Sequence, residues 1–87
     1  MPRVWVPALM RDLTGGLETI DLPGETVRQV IDSFEARYPG AADRLLKDGQ
    51  LSPSIAVVVD GVTSSLKLRQ PVFLDSEIYF VTAISGG

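Results

Sequence analysis

The sequence holds no cysteine and no histidine. Without cysteine there is no disulfide staple and no thiol nucleophile. Without histidine there is no imidazole general base and no Ser-His-Asp triad. Together the two absences exclude the usual zinc sites. Cations are also scarce: 8 Lys and Arg stand against 11 Asp and Glu, a net charge of −3. A nonspecific phosphate-backbone binder needs a basic stripe, so no nucleic-acid partner is expected. Mild acidity fits a partner with a basic docking surface. No apolar run approaches the roughly 20 residues that cross a bilayer. Met1-Pro2-Arg3 leads directly into a short alternating run, not into a basic-then-apolar signal segment. No membrane association is expected, and the cytoplasm is the default location.

The motifs of self-contained catalysis are missing too. There is no GxGxxG and no GxxxxGK[ST] phosphate loop. The acidic residues are scattered, and Ser64-Ser65 has no base partner. Gly15-Gly16 reads better as a turn than as an anion cradle. This chain is therefore not expected to be an enzyme, nor to bind a metal or cofactor of its own.

What is present is a single small domain's worth of sequence, 87 residues with 45% hydrophobic and 22% charged. Residues 3–7 alternate and are rich in β-branched and aromatic types, which predicts a strand closed by Pro7. Residues 10–14 read as a linker, and 17–22 as a second strand, so the two form a hairpin around Gly15-Gly16. Thr26 with Gln29 three residues on has the capping-box pattern. Val27, Val30, Ile31, Phe34 and Tyr38 then form one stripe of an amphipathic helix, which Pro39-Gly40 stops. Residues 41–46 fit a short second helix, and 47–53 a polar loop. Residues 55–59 read as a strand covered on both faces. Asp60-Gly61 turns the chain into residues 62–64. Residues 66–71 look irregular, and 78–84 form a last apolar strand. The order predicts an α+β fold, a mixed sheet with one main helix packed on one face.

The sequence closes on Ser85-Gly86-Gly87. At an average glycine usage of about 7%, two such glycines arise by chance on the order of 0.5% of the time. Glycine has no Cβ, so such a backbone threads a narrow channel and leaves the last carbonyl carbon unhindered.

With these pieces in place the chain resembles the ThiS/MoaD family of ubiquitin-like sulfur carriers. The matching segments are residues 4–9, Leu13-Thr14-Gly15-Gly16, Gly24-Glu25-Thr26-Val27, Tyr38-Pro39-Gly40, Val57-Val58-Val59-Asp60-Gly61 and Ser85-Gly86-Gly87. Two departures stand out: Leu74-Asp75-Ser76-Glu77 replaces an Asp-Gly-Asp-Glu-type turn, and Thr82 or Ala83 stands where proline is common. The resemblance implies a β-grasp domain over 1–84 and a flexible tail over 85–87. It implies that an E1-like adenylating enzyme uses ATP and magnesium to activate the Gly87 carboxylate, which then becomes a thiocarboxylate. Gly86 and Ser85 would serve as the tail that reaches the partner's site. The sulfur would pass to an accepting enzyme, either cysteine-synthase-like or a molybdopterin-synthase large subunit. Within the family the chain resembles the cysteine-biosynthesis carriers and the molybdopterin-synthase small subunits.

A docking face is expected as well. If Val4 and Val6 point to the helix, alternation puts Trp5 on the opposite face. In the last strand Ile78 and Phe80 would share the core side, leaving Tyr79 and Val81 beside Trp5. Such a patch is either a partner surface or the edge of the core. Two other functions use the same features: a ubiquitin-like modifier conjugated through Gly87, and a β-grasp binding module without tail chemistry.

Overall fold

The computed structural model describes residues 1–82. Strand β1 is Arg3–Trp5 and β2 is Thr19–Asp21, antiparallel with Val4 opposite Ile20. Strand β1 ends before Pro7, which has no N–H for a ladder and instead precedes a 3₁₀ turn, Ala8–Met10. The expected hairpin of β1 and β2 is present, joined by a broad connection over residues 6–18 in which Met10 is buried. Gly15 (φ 68°) and Gly16 (φ 93°) reverse the chain, and the Thr14 hydroxyl donates to the Leu17 carbonyl at 3.0 Å.

Helix α1 spans Val27–Arg37. Thr26 Oγ1 accepts from the Gln29 N–H at 3.2 Å. Gln29 Oε1 accepts from the N–H of Glu25 at 2.9 Å, so the reciprocal half of the cap closes one residue earlier than a standard capping box. Val27, Val30, Ile31 and Phe34 are fully buried, and Tyr38 meets Phe34 edge-on, centroids 5.9 Å apart. Burying each such side chain contributes about 1.5–3 kcal/mol, so this stripe is a substantial part of the core.

Helix α2 is Ala41–Leu45. The polar segment expected to be a loop is in part a hairpin: β3, Leu46–Lys47, pairs with β4, Gln50–Leu51. Its turn residues Asp48 and Gly49 both take positive φ, 55° and 77°, as a type I′ turn requires. Strand β5 is Ile55–Val59, as predicted. It is fully covered on one face only, with Val57 and Val59 buried and Ala56 and Val58 half-buried. Asp60 and Gly61 turn it into β6, Val62–Thr63. The stretch read as irregular holds a 3₁₀ turn, Lys67–Arg69. Strand β7 is Glu77–Thr82; positions 83 and 84, expected to continue it, and the expected tail 85–87 lie outside the described residues.

The sheet order is β2-β1-β7-β5-β6. Strand β7 sits in the middle, parallel to β1 and antiparallel to β5. The core lies between one sheet face (Val4, Ile20, Val57, Ile78, Phe80) and the apolar stripe of α1. This mixed sheet grasping one helix is the β-grasp arrangement. Its last strand is pinned by Asp60, whose carboxylate accepts from the Ser76 hydroxyl (3.0 Å) and the Glu77 N–H (2.9 Å). Ser76 Oγ in turn accepts from the Phe73 N–H at 2.8 Å.

Candidate functional site

The pairing register lays a row of side chains across the sheet face that carries no helix. Trp5 is opposite Thr19 on β2 and Tyr79 on β7; Tyr79 is opposite Val58 on β5, and Val58 opposite Thr63 on β6. The row has this composition because the neighbouring positions Val4, Val6, Ile78 and Phe80 are all buried on the helix side.

Trp5 and Tyr79 stack, with centroids 5.2 Å apart and ring planes 9° from parallel. The Trp5 indole N–H also donates to Glu77 Oε1 at 3.0 Å. A half-buried ring held by a stack and a hydrogen bond loses little freedom on docking, which suits an anchor residue. Val81 lies two residues further along β7 on the same face, 47% exposed, and Tyr79 is 38% exposed. So Trp5 and Tyr79, expected together, are in contact, and Val81 extends their surface toward the end of β7. Glu77 was not singled out from the sequence. The signal for it was the period of two that joins 77, 79 and 81. Arg3 and Asp21 border the patch as an exposed pair, Nε to Oδ1 3.7 Å. An apolar centre with a charged margin is the usual anatomy of a protein interface.

A second feature braces the loop after β1. Arg44 of α2 donates to both carboxylate oxygens of Asp12, at 3.0 and 2.9 Å, and to the Leu9 carbonyl at 2.7 Å. Those hydrogen bonds hold the Asp12 carboxyl below the usual aspartate range and raise the Arg44 guanidinium. Among the described residues no cluster of three or more acidic side chains is arranged to hold a metal, and no helix is long and apolar enough to cross a membrane. Gly87, Gly86 and Ser85 lie outside the described residues.

Set against known proteins, residues 4–87 match the model of the ThiS family. The chain belongs to the ThiS family. Sulfur carrier protein CysO of Mycobacterium tuberculosis is 28% identical over 89 residues, covering 97% of this chain and 96% of its own length. Small archaeal modifier protein 3 of Haloferax volcanii is 37% identical over 62 residues, 71% of this chain and 56% of its own. A chain in the crystal structure of the Amycolatopsis orientalis BexX/CysO complex superposes with a TM-score of 0.90, at 30% identity over all of both chains. These similar proteins are small ubiquitin-like proteins, named as carriers or modifiers and not as catalysts. The β-grasp fold and the family expected from the sequence are both established for this ThiS-family chain.

Proposed function

We propose that this chain is a sulfur carrier, a protein cosubstrate whose reactive group is the Gly87 carboxylate. The observation that carries the proposal is the likeness to CysO over the whole length, with the ThiS model reaching from residue 4 to Gly87 itself. The absence of Cys and His from the sequence supports the assignment of all bond-making chemistry to partners.

In the proposed cycle an E1-like enzyme binds ATP with magnesium. A Gly87 carboxylate oxygen attacks the α-phosphorus, the bond to the bridging oxygen breaks, and pyrophosphate leaves. A hydrosulfide equivalent then attacks the acyl carbon, the carbon–oxygen bond to AMP breaks, and a thiocarboxylate remains. Its sulfur passes to an acceptor on a second enzyme, cysteine-synthase-like or a molybdopterin-synthase large subunit. This chain's own residues dock and deliver: Trp5, Tyr79 and Val81 seat the domain, while Ser85 and Gly86 span the channel to the partner's active site.

The test incubates the purified chain with a cognate adenylating enzyme, ATP, magnesium and sulfide, and reads intact mass. The expected product has sulfur in place of one terminal oxygen, and deleting Gly87 abolishes it. A second reading, a protein modifier, is favoured by the 37% identity to small archaeal modifier protein 3. It predicts high-mass conjugates that vanish with Gly87. Failure to form either product would overturn both readings.

A further inference from the structure

We infer that the groove between β4 and the 3₁₀ turn Lys67–Arg69 docks an extended, acidic segment of a partner protein. The groove encloses about 680 Å³ on the helix side of the molecule. Arg28, Lys67 and Arg69 line it, and no Asp or Glu does, on a chain where acids outnumber bases. Glu25 and Asp48 adjoin lining residues in sequence, yet neither lines the groove. Three cationic residues lining one concave surface therefore run against the sign of the whole molecule. Such a local field recruits carboxylates and steers their approach.

Its walls are held in place before anything binds. Lys67 sits at φ 54°, a left-handed conformation that is costly for a lysine. Ser64 Oγ accepts from the N–H groups of both Leu66 and Lys67 at 3.1 Å, and its own hydroxyl donates to Gln70 Oε1 at 2.6 Å. Across the groove Arg28 donates to the Gly49 carbonyl at 3.1 Å, tying α1 to the hairpin.

The backbone supplies the reason for an extended occupant. Ser52 N–H donates to the Leu45 carbonyl at 2.9 Å, so Leu46 and Leu51 form the non-hydrogen-bonded pair of the β3–β4 ladder. The Leu51 N–H and C=O thus point away from β3, and Leu51 lines the groove. An incoming strand adds to that free edge through its main chain, and alternate carboxylates reach Lys67 and Arg69.

This inference does not involve the tail, and its test needs no activating enzyme. The full chain, ¹⁵N-labelled, is titrated at low ionic strength with an acetylated heptapeptide of alternating Glu and Val. The same peptide with Gln for Glu, and inorganic tripolyphosphate, are run beside it. Amide shifts are expected to centre on Gly49, Gln50, Leu51 and on 65–69. The Gln peptide, and the chain carrying Lys67→Glu with Arg69→Glu, should each bind at least tenfold more weakly. If the charge-reversed chain fails to fold, Lys67→Gln with Arg69→Gln replaces it under the same criterion. Shifts centred on Trp5 and Tyr79 overturn the inference, as does equal binding by the variant or by the Gln peptide. Tripolyphosphate reproducing the Leu51 shift overturns it in favour of a free anion.

Discussion

The indole of Trp5 lies flat on the ring of Tyr79, 5.2 Å between centroids, although the two come from the first and last strands of the sheet. The contact exists because β1 and β7 run parallel in a register that sets these residues side by side. Glu77 fixes the ring's rotation by accepting the indole N–H. Such aromatic pairs contribute about 0.5–1.5 kcal/mol beyond the area they bury.

Trp5→Ala should therefore cost more than the pair's share of about 1 kcal/mol, because the area covered by the half-buried ring is lost with it, while lowering affinity for the proposed activating enzyme at least tenfold. Calorimetry of unfolding and of binding separate the two effects. Normal binding and activation by the variant would remove Trp5 from the docking face. Trp5 is also the sole tryptophan, so its fluorescence reports this surface alone and should change when the partner docks.

Asp60→Ala should destabilise the domain by about 1–3 kcal/mol, since it strands the donors of buried Ser76 and of Glu77. Chemical denaturation measures the loss. Asp60→Asn should recover part of it, because one side-chain oxygen can still accept.

Gly24→Ala should cost about 1–3 kcal/mol through overpacking. A Cβ there would stand 2.7 Å from Val30 Cγ2 and 2.8 Å from the Val30 backbone nitrogen, and the helix backbone cannot move aside cheaply. A thermal midpoint equal to the wild type's would contradict the close approach of this turn to α1.

The Asp12 carboxyl should titrate below the ordinary aspartate value, chiefly because of its hydrogen bonds from Arg44. A depressed folded-state value means the clasp's stabilising effect is complete above the unfolded value and fades as pH falls through the folded one. Both atoms are exposed to solvent, so the effect is small and screened by salt. Carbon-detected NMR of Asp12 reads the midpoint, and Arg44→Gln should raise it toward the ordinary value.

The elements that were legible in the sequence are those whose cause is local. The α1 stripe, its Thr26 cap and the β5 run carry their periods in the residues themselves. The hairpin β3–β4 was missed although Asp48-Gly49 repeats the Asp-Gly signal recognised at Asp60-Gly61; its strands have two residues each, too short to show alternation. The 3₁₀ turn and buried Met10 of the loop after β1 were not legible because what shapes that loop is distant: Arg44 grips Asp12 and Leu9 from α2. On the sheet face without the helix, alternation puts Trp5, Tyr79 and Val81 together, as the strand register shows. The hydrogen bond to Glu77 depends on a register between strands that one sequence cannot display.

The central place of β7 has a mechanical meaning. Any enzyme that draws on the residues after Thr82 pulls the middle strand of five, with β1 bonded along one edge and β5 along the other. Tension along that strand loads the ladder bonds on both sides in shear, all at once, so they cannot be peeled apart one by one. The body is thus built to stay folded under a load applied beyond Thr82.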